Sequence, residues 1–182
     1  MDSSRLSLTI QNCEYSYVKE VTKALLHTIL FHRQFGQISP KTQELLDLTI
    51  ASIDDGAVES MVEERASAYI KSLHDSGIGT TTTTMTTITS PLVVEFYEKK
   101  TRKAWFTTSE EEVCWESWTL NFELIPTSRS EPERKRNLKV LVSQLEDSIL
   151  RILTLVNKRN EEYIPPIPYS ETRSFPYQII IR

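Results

Sequence analysis

The chain has 182 residues, 39% of them hydrophobic and 25% charged, with 21 basic side chains against 25 acidic ones for a net charge of −4. These proportions fit one globular domain with a core of its own and exclude a wholly disordered or collagen-like chain. The mild negative charge gives no general attraction to nucleic acid or an anionic membrane, no apolar run reaches the roughly 20 residues that span a bilayer, and only 4 glycines leave little for phosphate-cradling loops.

The N-terminus lacks a signal-peptide core, so an intracellular location is expected. Cys13 and Cys114 are distant and form no CxxC pair, which agrees with a reducing compartment. Residues 5–11 alternate, with Leu6, Leu8 and Ile10 on one face, and predict a half-buried strand. Over 14–34 the period changes: Val18, Val21, Leu25 and Ile29 step by three and four, which predicts an amphipathic helix ending near Gly36. Pro40 predicts a turn, and 45–53 alternate again through Leu46, Leu48 and Ile50. Asp54-Asp55-Gly56 offers a turn and a cap to a second helix carrying Val58, Val62, Tyr69 and Leu73 on one face and stopping by Ser76-Gly77. Residues 80–89 hold eight threonines, β-branched and poor in helices, so 80–90 is expected as a mobile loop with at most a frayed edge strand.

Residues 91–98 predict a strand with Leu92, Val94 and Phe96 on one face. Residues 114–125 predict another, in which Trp118, Leu120, Phe122 and Leu124 alternate with polar side chains. Between them, 99–113 reads as an exposed loop that closes a long hairpin. Ser130-Glu131-Pro132-Glu133 is a capping box with an early proline. It opens the longest helix, 131–160, along Leu138, Leu141, Leu145, Ile149, Ile152 and Val156. Val142, Leu150, Leu153 and Leu155 widen that stripe, so burial on more than one face is expected. The proline-rich 163–168 is extended, and 175–181 make a final strand. The sum is an α+β domain over 1–182, three helices packed on a mainly antiparallel sheet.

Motifs of catalysis are missing. His27 and His32 are five apart on one helix, off the spacing that brings metal ligands together, and are expected to pack or hydrogen-bond at its edge; His74 ends the second helix. Neither cysteine has a neighbouring histidine or a glycine elbow, and no GxSxG, Walker or GxGxxG pattern occurs. No enzyme activity, metal site or cofactor is expected.

Trp105 and Phe106 stand apart. They sit in a polar stretch, after Lys99, Lys100, Arg102 and Lys103 and before Glu110, Glu111 and Glu112. Neighbours on an extended chain point opposite ways. Either one ring folds back as a lid on the sheet, or the two form a protruding aromatic tip of the hot-spot kind. The four cations also allow contact with a membrane surface or an acidic partner, whereas stacking of single-stranded nucleic acid suits the net charge poorly. Trp115 faces away from Trp118 and needs cover from a loop or the final strand. The long helix is either a central core helix or, with one side open, a docking face.

Leu26-His27-Thr28-Ile29-Leu30-Phe31-His32-Arg33, Glu95-Phe96-Tyr97-Glu98-Lys99-Lys100 and Trp115-Glu116-Ser117-Trp118-Thr119, with Trp105-Phe106 upstream of the last, resemble the autophagy-related protein 101 family, HORMA-domain subunits of the autophagy-initiating kinase complex. The resemblance runs from about residue 5 to residue 125, and the order of elements matches it to residue 182. It implies a single HORMA-like domain and a non-enzymatic adaptor in autophagy initiation. It also implies a heterodimer with the HORMA domain of autophagy-related protein 13, stabilisation of that partner, and a cytoplasmic protein recruited to the phagophore assembly site. The family's exposed Trp-Phe finger, which recruits downstream autophagy factors, falls on Trp105 and Phe106; some members place a proline between the two. By analogy with the spindle-checkpoint HORMA dimer, the open side of helix 131–160, with Arg151 and Lys158, is the expected partner face. The alternatives are a membrane-tethering adaptor that lays the basic-aromatic segment on lipid, and another HORMA-type peptide-capturing adaptor. The second needs a mobile C-terminal belt, for which the short stretch after the last strand leaves no room, so one fixed conformer is expected.

Overall fold

A computed structural model describes residues 4–78, 84–88, 90–104, 107–166 and 175–182, with backbone only at 101–104 and 107–109. The main sheet contains β1 (Ser4–Cys13), β4 (Thr86–Thr87), β5 (Leu92–Ala104), β6 (Thr107–Leu124) and β7 (Tyr177–Ile181). Its order is β1-β6-β5-β7, with the two-residue β4 also paired to β6. β1 runs parallel to β6, with Leu8 opposite Leu120; every other pairing is antiparallel. The inward face carries Leu8, Ile10, Leu92, Val94, Phe96, Trp118, Leu120, Phe122 and Leu124, all buried. The one-sided alternation seen in the sequence therefore marks the helix-covered face, as a half-buried sheet requires.

Three helices complete the α+β fold: α1 (Val18–Arg33), α2 (Gly56–Asp75) and α3 (Glu131–Glu162). Asp55 caps α2, its carboxylate accepting from the N–H groups of Ala57 at 2.8 Å and Val58 at 3.4 Å. Ser130 caps α3 by accepting from the Glu133 N–H at 3.4 Å. These side chains satisfy backbone donors that the first helical turn leaves unpaired. The start of α3 is tied down by the buried Glu14, which accepts from the Ser128 hydroxyl and the Asn137 amide.

Three expectations are corrected. Pro40 opens a strand instead of marking a turn: Pro40–Leu45 is β2, and it pairs with β3 (Leu48–Ile53) in a separate two-stranded sheet against α1. The reversal lies at Leu46 and Asp47, both at positive φ (50° and 62°), the backbone of a tight hairpin turn. The widely buried helix is α1, not α3. Val18, Val21, Ala24, Leu25, Leu26 and Ile29 on α1 are all fully enclosed, whereas α3 buries only Leu141, Leu145, Ile152 and Val156 and leaves Val140 44% and Leu150 54% exposed. Finally, the segment expected as a loop over 99–113 is strand up to Ala104 and again from Thr107. In the threonine-rich stretch, Thr86–Thr87 pair with Leu124 and Glu123, while 79–83 and 89 lie outside the described residues.

Candidate functional site

The hairpin of β5 and β6 is longer than the sheet around it. β7 flanks β5 only as far as Phe96, and β1 flanks β6 only as far as Glu116. Beyond these points no other strand flanks the two among the described residues, and they stay paired to Ala104↔Thr107. The result is a two-stranded ribbon that projects from the sheet. Trp105 and Phe106, which join its strands in sequence, lie outside the described residues.

The register explains the charge blocks that read as a loop. Lys99 stands across from Glu112, Lys100 from Glu111 and Thr101 from Glu110. Opposite charges facing each other across a ladder favour pairing, so a basic run and an acidic run build one ribbon. Lys100 also forms an ion pair with Glu98 at 2.7 Å, which raises its pKa. Lys99 is exposed; the strand positions of Arg102 and Lys103 lie opposite Ser109 and Thr108. The four cations proposed for contact with lipid or an acidic partner thus share their ribbon with a block of three acids. Among the described residues no helix is long and apolar enough to cross a membrane.

The ribbon's base is held by a buried charge cluster that the sequence reading missed. Arg33, last in α1, donates to Glu116 through Nε at 2.6 Å and Nη2 at 2.7 Å, and through Nη1 to Asn160 of α3 at 3.0 Å. The Trp118 indole N–H donates to the same carboxylate at 2.5 Å. Both charged side chains are wholly shielded from solvent. A bidentate guanidinium–carboxylate pair with further donors is the arrangement that offsets the cost of burying two charges. The signal was present in the parity of β6: Glu116 shares the even-numbered, inward face of Trp118.

Trp115 occupies a bulge, skipped where Phe96 pairs with Glu116 and Tyr97 with Cys114. Its cover comes from Phe175, just before β7, at 5.1 Å between ring centroids, and from Phe96 at 6.3 Å. The Arg33 guanidinium lies 5.6 Å from its ring centre, within cation–π range. One arginine therefore joins the end of α1, the strand β6, the end of α3 and the approach to β7. Next to it, Glu98 accepts from the Tyr163 hydroxyl at 3.3 Å, which ties the ribbon to the end of α3.

The outer side of α3 is the second candidate surface. Separations of 11 and 7 residues put Val140, Arg151 and Lys158 in one stripe, and Leu150 lies beside it with the half-buried Leu153. Lys158 pairs at long range with Glu162 (3.9 Å) and stays 70% exposed; Arg151 is exposed. The histidines are apart: His27 is buried in α1, His32 makes an edge contact with Phe31 at 5.2 Å, and His74 ends α2 in solvent.

The family model of autophagy-related protein 101 matches residues 11–171. The chain is 26% identical to autophagy-related protein 101 of Schizosaccharomyces pombe over 91% of its own length and 80% of the relative's. It is 26% identical to the Arabidopsis thaliana protein of the same name, over 82% and 74% of the two chains. With the human one it shares 25% identity over 83% and 70%. These names carry an autophagy role with them, and a match over most of the chain places this protein in the autophagy-related protein 101 family.

Proposed function

We propose that the chain is a non-enzymatic adaptor of autophagy initiation. It pairs with the HORMA domain of autophagy-related protein 13 through the outer side of α3, stabilises that partner within the autophagy-initiating kinase complex, and presents Trp105 and Phe106 to downstream autophagy factors. It acts from the cytoplasm at the phagophore assembly site. The observation that carries this reading is the open face of α3: a helix that buries one narrow stripe exposes Val140 and Leu150 beside Arg151 and Lys158. Two apolar side chains exposed beside two cations offer a partner both apolar contact and charge to pair with. The ribbon supports the second half, since Trp105 and Phe106 follow Ala104 and precede Thr107, the last pair of its ladder.

Size-exclusion chromatography with light scattering tests the pairing, on this chain alone and mixed with the HORMA domain of autophagy-related protein 13. A one-to-one complex is the expected result. A monomer that ignores the partner refutes the heterodimer.

A further inference from the structure

The connection from β6 to α3, residues 125–130, is irregular, and Pro126, Thr127, Arg129 and Ser130 in it are exposed. Ser128 turns inward instead. Its hydroxyl donates to the carboxylate of Glu14, which follows β1 and is only 3% exposed. From α3 the Asn137 amide donates to both, to Ser128 Oγ at 3.1 Å and to Glu14 Oε1 at 3.3 Å. Hydroxyl and amide are neutral donors, so the cluster is built around one negative charge. Arg134, the α3 cation whose charge reaches Glu14, is engaged by the Tyr17 oxygen and by Glu131 at 3.8 Å. This end of α3 lies outside the core: residues 131–136, 139 and 140 are exposed, and the first enclosed side chain is Leu141.

We propose that Ser128 is a phosphorylation site whose modification releases the start of α3. The segment is exposed and irregular, as a kinase needs in order to take it up, and Ser128 stands three residues before Glu131, a charge pattern that acid-directed serine kinases select. The kinase moves the γ-phosphoryl group of ATP to Ser128 Oγ: the bond from phosphorus to the ADP oxygen breaks, the P–Oγ bond forms, and the hydroxyl proton passes to the kinase's base. Glu14 thereby loses a donor and meets a charge of about −1.5 to −2 in its place. Like charges in contact beside a buried carboxylate repel strongly, so 125–130 leaves Glu14 and the Asn137 bonds go with it. Ser130 is the internal control. It has the same spacing to Glu133, but its Oγ accepts the Glu133 N–H as the cap of α3, a task that an anionic oxygen also performs. The inference holds whatever docks on α3.

The test treats the full chain with casein kinase 2 and ATP, locates the phosphate by tandem mass spectrometry and follows amide hydrogen exchange. Phosphate on Ser128 is expected, with exchange of the N–H groups of 134–138 faster by about tenfold or more and that of 145–156 unchanged. Ser128→Asp reproduces the release without kinase, and Ser130→Asp does not. Kinase treatment of Ser128→Ala adds no acceleration, which sets aside phosphate at other positions. Glu14→Gln isolates the cause: with that charge removed, phosphate on Ser128 speeds exchange by less than about threefold. The proposal is overturned if Ser128 stays unmodified, if exchange of 134–138 is unchanged or slows, as capture of the phosphate by neighbouring arginines would give, if the acceleration spreads over the whole chain, or if Glu14→Gln shows an equal acceleration.

Discussion

Replacing Glu116 with alanine removes the acceptor of three short bonds, two from Arg33 and one from Trp118. Arg33 then stays buried at 2% exposure with only the Asn160 amide oxygen as a partner. A guanidinium cannot discard its proton at any pH the fold survives, so its charge remains uncompensated. Breaking one side of a buried pair costs about 3–5 kcal/mol. For a chain of this size each kcal/mol lowers the melting temperature by about 2–4 °C, so a fall of roughly 6–20 °C is expected. Urea unfolding at neutral pH supplies the free energy, and near-ultraviolet circular dichroism reports Trp115 and Trp118 directly. The pair Arg33→Met with Glu116→Leu regains most of the loss, because hydrophobic groups of similar volume substitute for a buried ion pair at little cost; the orphaned Trp118 N–H keeps about 1 kcal/mol of it. Two outcomes refute the reasoning: a Glu116→Ala variant within about 1 kcal/mol of wild type, or a double variant whose loss equals the sum of the singles.

Trp105→Ala with Phe106→Ala keeps the melting temperature within about 5 °C and weakens capture of a downstream autophagy factor about thirtyfold, the share of a buried aromatic hot spot; a larger thermal loss makes the rings packing residues. Arg151→Glu with Leu150→Glu, both on the exposed side of α3, changes stability by about 0.5 kcal/mol or less while raising the dissociation constant for autophagy-related protein 13 at least tenfold in calorimetry; an unchanged constant removes α3 as the interface. Burial first, and then the Lys23 and Lys41 charges, push the His27 pKa down to about 4, against about 6.5 in the unfolded chain. Between these values the unfolded state binds the extra proton, so stability falls as pH drops from 6.5 to 4, by about 3 kcal/mol in all. His27→Leu flattens that part of the profile, and an unaltered pH slope contradicts the assignment. Asp47 sits at φ 62° without being glycine, so Asp47→Gly stabilises the β2–β3 hairpin by about 0.5–1 kcal/mol in chemical unfolding.

The readable parts of this fold are those whose signal is local. The cap at Asp55, the stripe Val58, Val62, Tyr69 and Leu73, and the alternation from Trp118 to Leu124 all depend on spacing along a few turns or one strand, and all stand where the pattern put them. The α+β, HORMA-like reading agrees with the family shown by comparison. β2 escaped because Pro-Lys-Thr-Gln-Glu-Leu turns only Leu45 into the core, too little contrast for a period. Glu116 was visible only as an acid of inward parity, and nothing local tells that Arg33, 83 residues away, meets it.

What the sequence by itself determined was therefore the type of each long element, its caps and which face is apolar, since these depend on interactions between near neighbours. Tertiary structure alone decided how much of each apolar face is covered, burying most of α1 while leaving Val140 and Leu150 of α3 in solvent. It alone decided that Lys99 and Lys100 face Glu112 and Glu111 in a projecting ribbon, and that a distant arginine and glutamate share one buried site. Register, burial and ion pairing are relations between segments far apart in the chain, set by which surfaces exclude water together.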